Sequence, residues 1–420
     1  MIKKIILGIS ILFSTSIFAQ EGTASPYSNF GLGEVKFRGT VENRSMGGIS
    51  TVVDTTNVNL QNPASYAFLK FTSFSIGGTN SRTNFKTNTQ NEKTQRTTLD
   101  YLAVGIPMGK FGAAFGLMPY SNVGYKIQSL DTSTDPDQHK SFIGEGAVNR
   151  VFAGVSYRIL PELSVGADFQ YNFGSTKTQA VVTMKDILKS SRTKNTSKYS
   201  GFSTNLGAYY QKKISGKYSF AANVMFSPKT KITSENTRNV AVVTYSSSGA
   251  EIIEADSNTK VTLADTELTL PSKLTFGSGF GDMKKWFTAA EYVVQGKNDF
   301  TVVNTGGNFT FSHRKGERFS LGGYYIPKYN SFTSYFDRIT YRVGYRYENT
   351  GLVINSRSII DNAVTLGFGF PVGNVISKIN LGLEYGKRGT RSNGLVEENY
   401  FNVSFGLSIG DRWFVKPKYD

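Results

Sequence analysis

From about residue 70 to the C-terminus, the chain keeps returning to one pattern. Apolar and aromatic side chains occupy every second position for roughly ten residues, with polar or small ones between them. In Ile339 to Tyr347, the residues Ile339, Tyr341, Val343, Tyr345 and Tyr347 share one parity, and Thr340, Arg342, Gly344 and Arg346 share the other. Leu163 to Phe173, Tyr218 to Phe226, Ile379 to Gly386 and Phe401 to Ile409 read the same way. A period of two is that of a β-strand, whose successive side chains point to opposite faces. No run of eighteen apolar residues follows residue 20, so a helical membrane protein is excluded. The remaining way through lipid is a closed barrel in which every backbone group pairs with a neighbouring strand.

About fourteen such segments begin near Phe71, Leu99, Phe111, Asn149, Leu163, Gly201, Lys217, Leu268, Trp286, Arg318, Arg338, Asp361, Ser377 and Asn399. Their connections alternate in length. Met108 to Lys110, Leu160 and Pro161, Lys213 to Gly216, Gly281 to Lys285 and Pro371 to Ile376 are short. Ser81 to Thr97, Ser121 to Glu145, Ser175 to Tyr199, Thr230 to Glu267, Lys297 to Glu317, Glu348 to Ile360 and Lys387 to Glu398 are long and polar. Tight periplasmic turns and long extracellular loops give this rhythm in bacterial barrels. Lys328 to Asp337 is the one irregular connection. A soluble β-sandwich also alternates, but it has no reason to carry its long loops on one end only. The sequence therefore predicts an all-β fold, an antiparallel transmembrane barrel of about fourteen strands over residues 70–414. The 23 Tyr, 31 Phe and 43 Gly against 11 Pro suit strands joined by tight turns.

The ends set the compartment. Basic Met1 to Lys4, apolar Ile5 to Phe18 and small Ala19 make residues 1–20 a secretory signal peptide, and the expected site is the outer membrane. With no cysteine in the chain, disulfides, thiolate metal sites and a lipid-modified Cys are excluded. The formal charge of +16 falls to +14 once Lys3 and Lys4 leave. These cations are scattered through loops and form no stripe, so nucleic acid is not expected as a partner, whereas anionic outer-membrane lipid is. Residues 415–420 form a basic periplasmic tail containing Lys416-Pro-Lys.

Residues 21–69 lack the strand rhythm but carry Tyr27, Phe30, Phe37, Tyr66 and Phe68, too apolar a set for a free tail. A barrel of about fourteen strands leaves an open lumen unless something fills it, so this segment is the expected hatch, or plug. Its motifs are Ser45-Met46-Gly47-Gly48 and Asn62-Pro63-Ala64, with Asp54 between them.

On those motifs, and on the stretches Leu270 to Gly277, Phe319 to Tyr325 and Tyr341 to Tyr345, the chain resembles the FadL-type barrels, outer-membrane transporters of long-chain fatty acids and aromatic hydrocarbons. The resemblance spans the whole mature chain. It implies fourteen strands, an N-terminal hatch and a hydrophobic ligand that leaves sideways through a gap made by an inward strand kink. The family's hatch usually carries an Asp-Asp pair, where this chain has Asp54, Thr55 and Thr56, and its terminal aromatic is replaced by Trp413-Phe414 with a further extension.

Nothing in the chain reads as an enzyme. His139 and His313 fall in predicted loops, no metal-ligand pair, nucleophile elbow or phosphate loop is present, and no cofactor is implied. Gly277, Gly279 and Gly281 read as packing and turn residues. The candidate lumen set is Arg158, Asp168, Lys273, Glu291, Arg342, Arg346 and Glu384, all on the polar parity of their strands. They can pair with one another or with the hatch, or Arg342 or Arg346 can hold a ligand carboxylate. Two functions follow as expectations: passive uptake of hydrophobic small molecules, or a non-transporting subunit of an outer-membrane protein export or assembly complex. A general diffusion porin fits less well, because a plug would block water.

Overall fold

The computed structural model describes residues 22–297, 311–373 and 376–411. The expected signal peptide, Trp413-Phe414 and the expected tail lie outside these residues. Fourteen strands form a closed antiparallel ring. They are β1 Thr72–Lys86, β2 Asn91–Met108, β3 Phe111–Asp131, β4 Gln138–Arg158, β5 Leu163–Met184, β6 Ser190–Ser215, β7 Tyr218–Ser227, β8 Lys273–Asp282, β9 Trp286–Gln295, β10 Gly316–Tyr325, β11 Thr340–Ile354, β12 Arg357–Val372, β13 Ser377–Gly389 and β14 Glu397–Asp411. Each pairs with the next, and β14 returns to β1 from Thr72↔Asp411 to Lys86↔Glu397. Every strand of the ring thus has a paired neighbour on both sides, the condition for strands to cross a membrane. No helix among the described residues is long and apolar enough to cross one.

The alternation read from the sequence is the orientation observed. Val343, Tyr345 and Tyr347 on β11 are exposed on the outer surface while Arg342 and Arg346 are buried on the inner one. Phe169, Val155, Phe276 and Phe405 continue the outer apolar band around the ring.

Strand boundaries differ from the sequence expectation in a systematic way. Starts at the short-turn end agree to within two residues, but β2, β4 and β6 begin at Asn91, Gln138 and Ser190, well before Leu99, Asn149 and Gly201. The segments expected as long loops are mostly strand. The β4–β5 ladder runs out to Gln138↔Met184, and β5–β6 to Val182↔Ser191. Beyond the bilayer both faces of a sheet meet water, so the apolar alternation disappears while the backbone ladder continues. β6, with 26 residues, is roughly 85 Å long at ~3.3 Å per residue, nearly three times the ~30 Å hydrocarbon layer. Its outer part, Ser190–Ser200, pairs with a further strand, Thr230–Tyr245, which folds back onto Thr266–Leu270. Pro228 and Pro271 interrupt this hairpin without changing its register, because Ser227↔Lys273 and Thr230↔Leu270 lie on the same alignment. The irregular connection between β10 and β11 contains a short 3-10 helix, Phe336–Arg338, and the Tyr335 hydroxyl donates to Pro371 O at 3.0 Å.

One stretch of wall is incomplete. β2 and β3 pair only from Leu102↔Leu117 to Met108↔Phe111. Beyond Leu117, β3 carries a bulge between Pro119 and Ser121, and its edge pairs with Glu34–Val35 of the N-terminal segment. The Lys36 N–H donates to Tyr120 O at 2.9 Å, extending that contact.

Candidate functional site

Residues 22–69 lie inside the ring, bonded to inward side chains from strands on all sides. Pro26–Asn29 and Pro63–Phe68 form 3-10 turns, and Val41–Arg44 forms one helical turn. Each 3-10 turn starts with a capping side chain and a proline at its first position. Ser25 accepts from the Tyr27 N–H, and Asn62 accepts from the Ala64 N–H at 3.0 Å. Two mixed apolar clusters join segment to wall. Val41, Val58, Leu60 and Tyr66 pack with Tyr101 and Phe152, and Met46, Ile49 and Ala64 pack with Tyr209 and Phe287.

The motif residues are held partly within the segment and partly against the strands. The Ser45 hydroxyl donates to Val41 O at 2.7 Å, and the Gly47 N–H donates to Thr365 Oγ1 at 2.9 Å. Gly47 and Gly48 have φ of +70° and +85°, where a side chain is disfavoured. A Cβ on Gly47 would lie 2.6 Å from Tyr345 O. The backbone of Pro63 and Ala64 abuts Gly166, and Ala64 O accepts from Ser164 at 2.7 Å.

The seven predicted lumen residues all face inward, distributed between partners in the segment and in the wall. Asp168, fully buried, accepts from Arg38, from Tyr66 at 3.0 Å and from Asn205 at 3.5 Å. Glu291 accepts from the Ser50 N–H at 2.8 Å and from Arg318 at 3.2 Å. Arg158 donates to Ala67 O and lies 4.6 Å above the Phe68 ring. Arg342 donates to Asn380 at 3.1 Å, and Asn380 in turn donates to Glu42 at 2.7 Å. Arg346 pairs with Glu384 at 2.9 Å and Asp361 at 3.5 Å, and donates to Tyr400 at 3.0 Å. The carboxylates around Arg346 thus come from the barrel itself. The Lys273 side chain makes no hydrogen bond or ion pair among the described residues, and it lines the cavity above the segment.

Several partners carried no sequence signal. Arg38, Glu42 and Arg44 belong to a segment without periodicity, so nothing marked them as lumen residues. Arg150 lies on the inward parity of the strand expected from Asn149 and was legible there, whereas Arg388 lies on the inward parity of β13 in a stretch expected as loop, and extending that strand would have found it. Arg388 ties Asp361 at 3.0 Å to Glu34 at 2.8 Å. Burial opposes ionisation of Glu34, but Lys36 and Arg388 outweigh it and hold the carboxyl well below the usual range. Gly277 sits where a side chain would strike Thr51 and Asn223, in accord with a packing role.

Asp54 closes the inner end of the segment. It accepts from Thr56 N–H at 2.9 Å and Asn57 at 3.1 Å, and pairs with Lys378 at 2.6 Å. Burial raises its pKa, but Lys378 and the hydrogen bonds more than offset this and bring it from 3.8 to about 2. Because the folded value is the lower one, the pair's contribution is fully present above pH ~4 and is lost as pH falls toward 2. Proteolysis of residues 22–69 in the folded barrel is therefore expected to gain an Asp54-dependent component only below about pH 4. A Lys378→Met variant should remove the acid-dependent part of any loosening seen below pH 4.

Above the segment is a cavity of about 400 Å³ with charged walls. No cluster of acidic or histidine side chains suited to a metal occurs among the described residues.

A closed fourteen-strand ring with this topology defines an integral outer-membrane barrel with the fold of the FadL-type proteins. The toluene transporter TbuX of Ralstonia pickettii superposes with a TM-score of 0.59 at 14% identity, over 89% of this chain and 98% of that one. The Pseudomonas putida toluene transporter TodX gives 0.59 at 17% identity, over 90% and 100%. A Pseudomonas aeruginosa FadL homologue gives 0.55 at 11% identity, over 90% and 98%. At these identities the likeness concerns the fold. The chain belongs to the BamG family, whose model matches residues 1–420. No curated protein matches it by sequence.

Proposed function

We propose that this protein is a plugged, non-transporting barrel that serves as a subunit of an outer-membrane protein export or assembly complex. One observation carries the reading. The N-terminal segment is fastened by charged and hydrogen-bonded contacts to both halves of the ring, through Arg38–Asp168, Ser50–Glu291, Asp54–Lys378 and Glu34–Arg388. The space above it is lined by Arg150, Lys273, Glu348 and Arg388. A hydrocarbon has no favourable place among such groups, whose desolvation would cost several kcal/mol each. The BamG family match hints at the same reading, and the strands extending from β4 to β6 offer a large surface outside the bilayer.

The second reading is passive uptake of a hydrophobic small molecule. The interrupted β2–β3 ladder favours it, since that is where a sideways exit would lie. Hydrocarbon transport by the structural neighbours favours it too. Purification from native membranes in a mild detergent separates the two. Partner proteins at fixed stoichiometry, with no co-purifying hydrophobic ligand, are expected. A solitary barrel carrying a bound fatty acid or hydrocarbon would overturn the first reading in favour of the second.

A further inference from the structure

The short-turn end of the barrel carries one connection longer than its geometry requires. Residues 326–339 join β10 to β11, although the strand ends Tyr325 and Tyr341 are already paired neighbours. The loop is held by its own bonds. Its first residue, Ile326, donates its N–H to Lys285 O at 2.6 Å on the β8–β9 turn, and the Lys328 N–H donates to Asp337 O at 2.8 Å. The Ser331 hydroxyl donates to Asp337 Oδ2 at 3.3 Å, and Tyr335 reaches Pro371 O at the end of β12. The loop thus spans the ends of β9 to β12. Four of its aromatics nevertheless lie open: Tyr329, Phe332, Tyr335 and Phe336 are exposed, Phe332 fully and Phe336 at 72%. A loop surrounded only by water has no reason to hold such a set.

Two contacts show which way it leans. Tyr341 shares the outward parity of Val343 and Tyr345, and its hydroxyl donates to Phe336 O at 3.3 Å. The Tyr341 ring meets Phe368 edge-on at 6.0 Å, and Phe368 stacks on Phe370 along the outward parity of β12. The chain at Phe336 therefore lies over the lipid-facing side of the wall and not over the lumen. Its aromatics continue a belt in which Trp286, Tyr325, Tyr341 and Phe368 stand side by side on successive strands. Aromatic belts of this kind mark the membrane–water boundary of barrels. The charges beside the belt are unequal. Lys284, Lys285 and Lys328 are exposed, and Arg338 lies 5.1 Å from the Tyr335 ring. Lys284 lies 5.6 Å from the Tyr329 ring. The carboxylates of the loop and the β8–β9 turn are Asp337, engaged by Ser331, and Asp282, which accepts from the Lys284 N–H at 3.0 Å. Four cations thus face two carboxylates.

We propose that the β10–β11 connection is a lipid-docking element, whose aromatics enter the leaflet at the short-turn end while its lysines hold the phosphates of anionic phospholipid. That end is the periplasmic one in bacterial barrels. Aromatic rings prefer the headgroup level, and long basic side chains reach from there to phosphate. A periplasmic protein would approach from below the rim, whereas Phe336 is carried on the side of the wall that faces hydrocarbon. The element is independent of the complex-subunit reading and would serve a transporter equally.

The chain contains no cysteine, so Thr333→Cys places a single nitrobenzoxadiazole label in the loop while sparing its aromatics. Ser247→Cys, exposed beyond Tyr245 in the outer hairpin, is the water-facing control. The full chain is folded into vesicles of phosphatidylcholine and phosphatidylglycerol, with a spin-labelled quencher on one lipid or the other at equal mole fraction. Iodide should quench the loop label roughly fivefold less than the control, and the spin-labelled lipids should quench it efficiently. Quenching should be about twofold stronger when phosphatidylglycerol carries the spin label. Phe332→Ser with Phe336→Ser should restore iodide access. Neither ring is packed in the wall, and an unchanged heat-dependent gel mobility will show that the barrel still folds. Lys284→Gln with Lys328→Gln should abolish the phosphatidylglycerol preference. Full iodide access of the loop label in vesicles overturns the proposal. So does shielding seen only in native membranes, where a protein would then be the cover. A phosphatidylglycerol preference that survives in the double lysine variant overturns the assignment of the lysines to phosphate.

Discussion

Replacing Asp168 with alanine is expected to release residues 22–69 from the wall while the fourteen-strand ring stays intact. The substitution leaves the Arg38 charge buried beside Leu60 O, and strips Tyr66 and Asn205 of a shared acceptor. Breaking a buried ion pair by removing one partner costs about 3–5 kcal/mol, much of it from the charge left behind. The Asp168 carboxylate joins the segment to β5 and β6, whereas the ladder itself is made of backbone bonds that the side chain does not touch. The measurement is limited proteolysis of the detergent-folded protein, with cleavage before Thr72 scored against cleavage within the strands. Cleavage should rise at least tenfold in Asp168→Ala and less in Asp168→Asn, which keeps the hydrogen-bonding geometry without the charge. Wild-type resistance in Asp168→Ala would show that the pair does not anchor the segment.

The second large effect is steric. Gly47→Val places a side chain at φ +70°, and its Cβ is directed at Tyr345 O. A left-handed backbone costs a side-chain-bearing residue about 1–2 kcal/mol, and overpacking adds about 1–3 kcal/mol. The strands leave no room to yield, because Gly322 and Gly344 already bring the β10 and β11 backbones against Met46 and Gly47. Gly216 provides the control, since it too has positive φ, at +51°, but a Cβ there meets nothing within 4 Å. Hydrogen exchange of residues 40–50 should accelerate strongly in Gly47→Val and hardly change in Gly216→Ala. Equal effects of the two would mean that backbone conformation alone, and not the approach to Tyr345, sets the requirement for glycine.

The legible part of this sequence is the part governed by a period. Where strands lie in hydrocarbon, Val343, Tyr345 and Tyr347 must face out and Arg342 and Arg346 in, so parity alone orients them. Where the same strands leave the bilayer, as in Gln138 to Ser141, polar residues occupy both faces and the period is lost. Side-chain polarity then reports solvent and not backbone pairing, which is why ladders read as loops. The N-terminal segment has motifs but no period. Ser45 to Gly48 and Asn62 to Ala64 are visible, whereas the charges that fasten the segment, Arg38, Glu42 and Arg44, look like any solvated residues. Their significance depends on pairing with residues as far as 366 positions away in the chain. The interrupted wall is equally hidden, because Pro119 marks a bend in β3 but gives no sign that Glu34–Val35 would pair with the exposed edge.

The closure of the ring has a consequence for the order in which the molecule is made. The bonds that seal it join β1, which directly follows the N-terminal segment, to β14, the last described strand. The segment emerges early and touches strands around nearly the whole circumference, from β3 at Tyr120 to β14 at Glu398. Threading it into a finished cylinder would require forming its ion pairs with the wall only after the ring had closed. We infer that the cylinder is closed around it, so that residues 22–69 serve as a mandrel on which the later hairpins are laid.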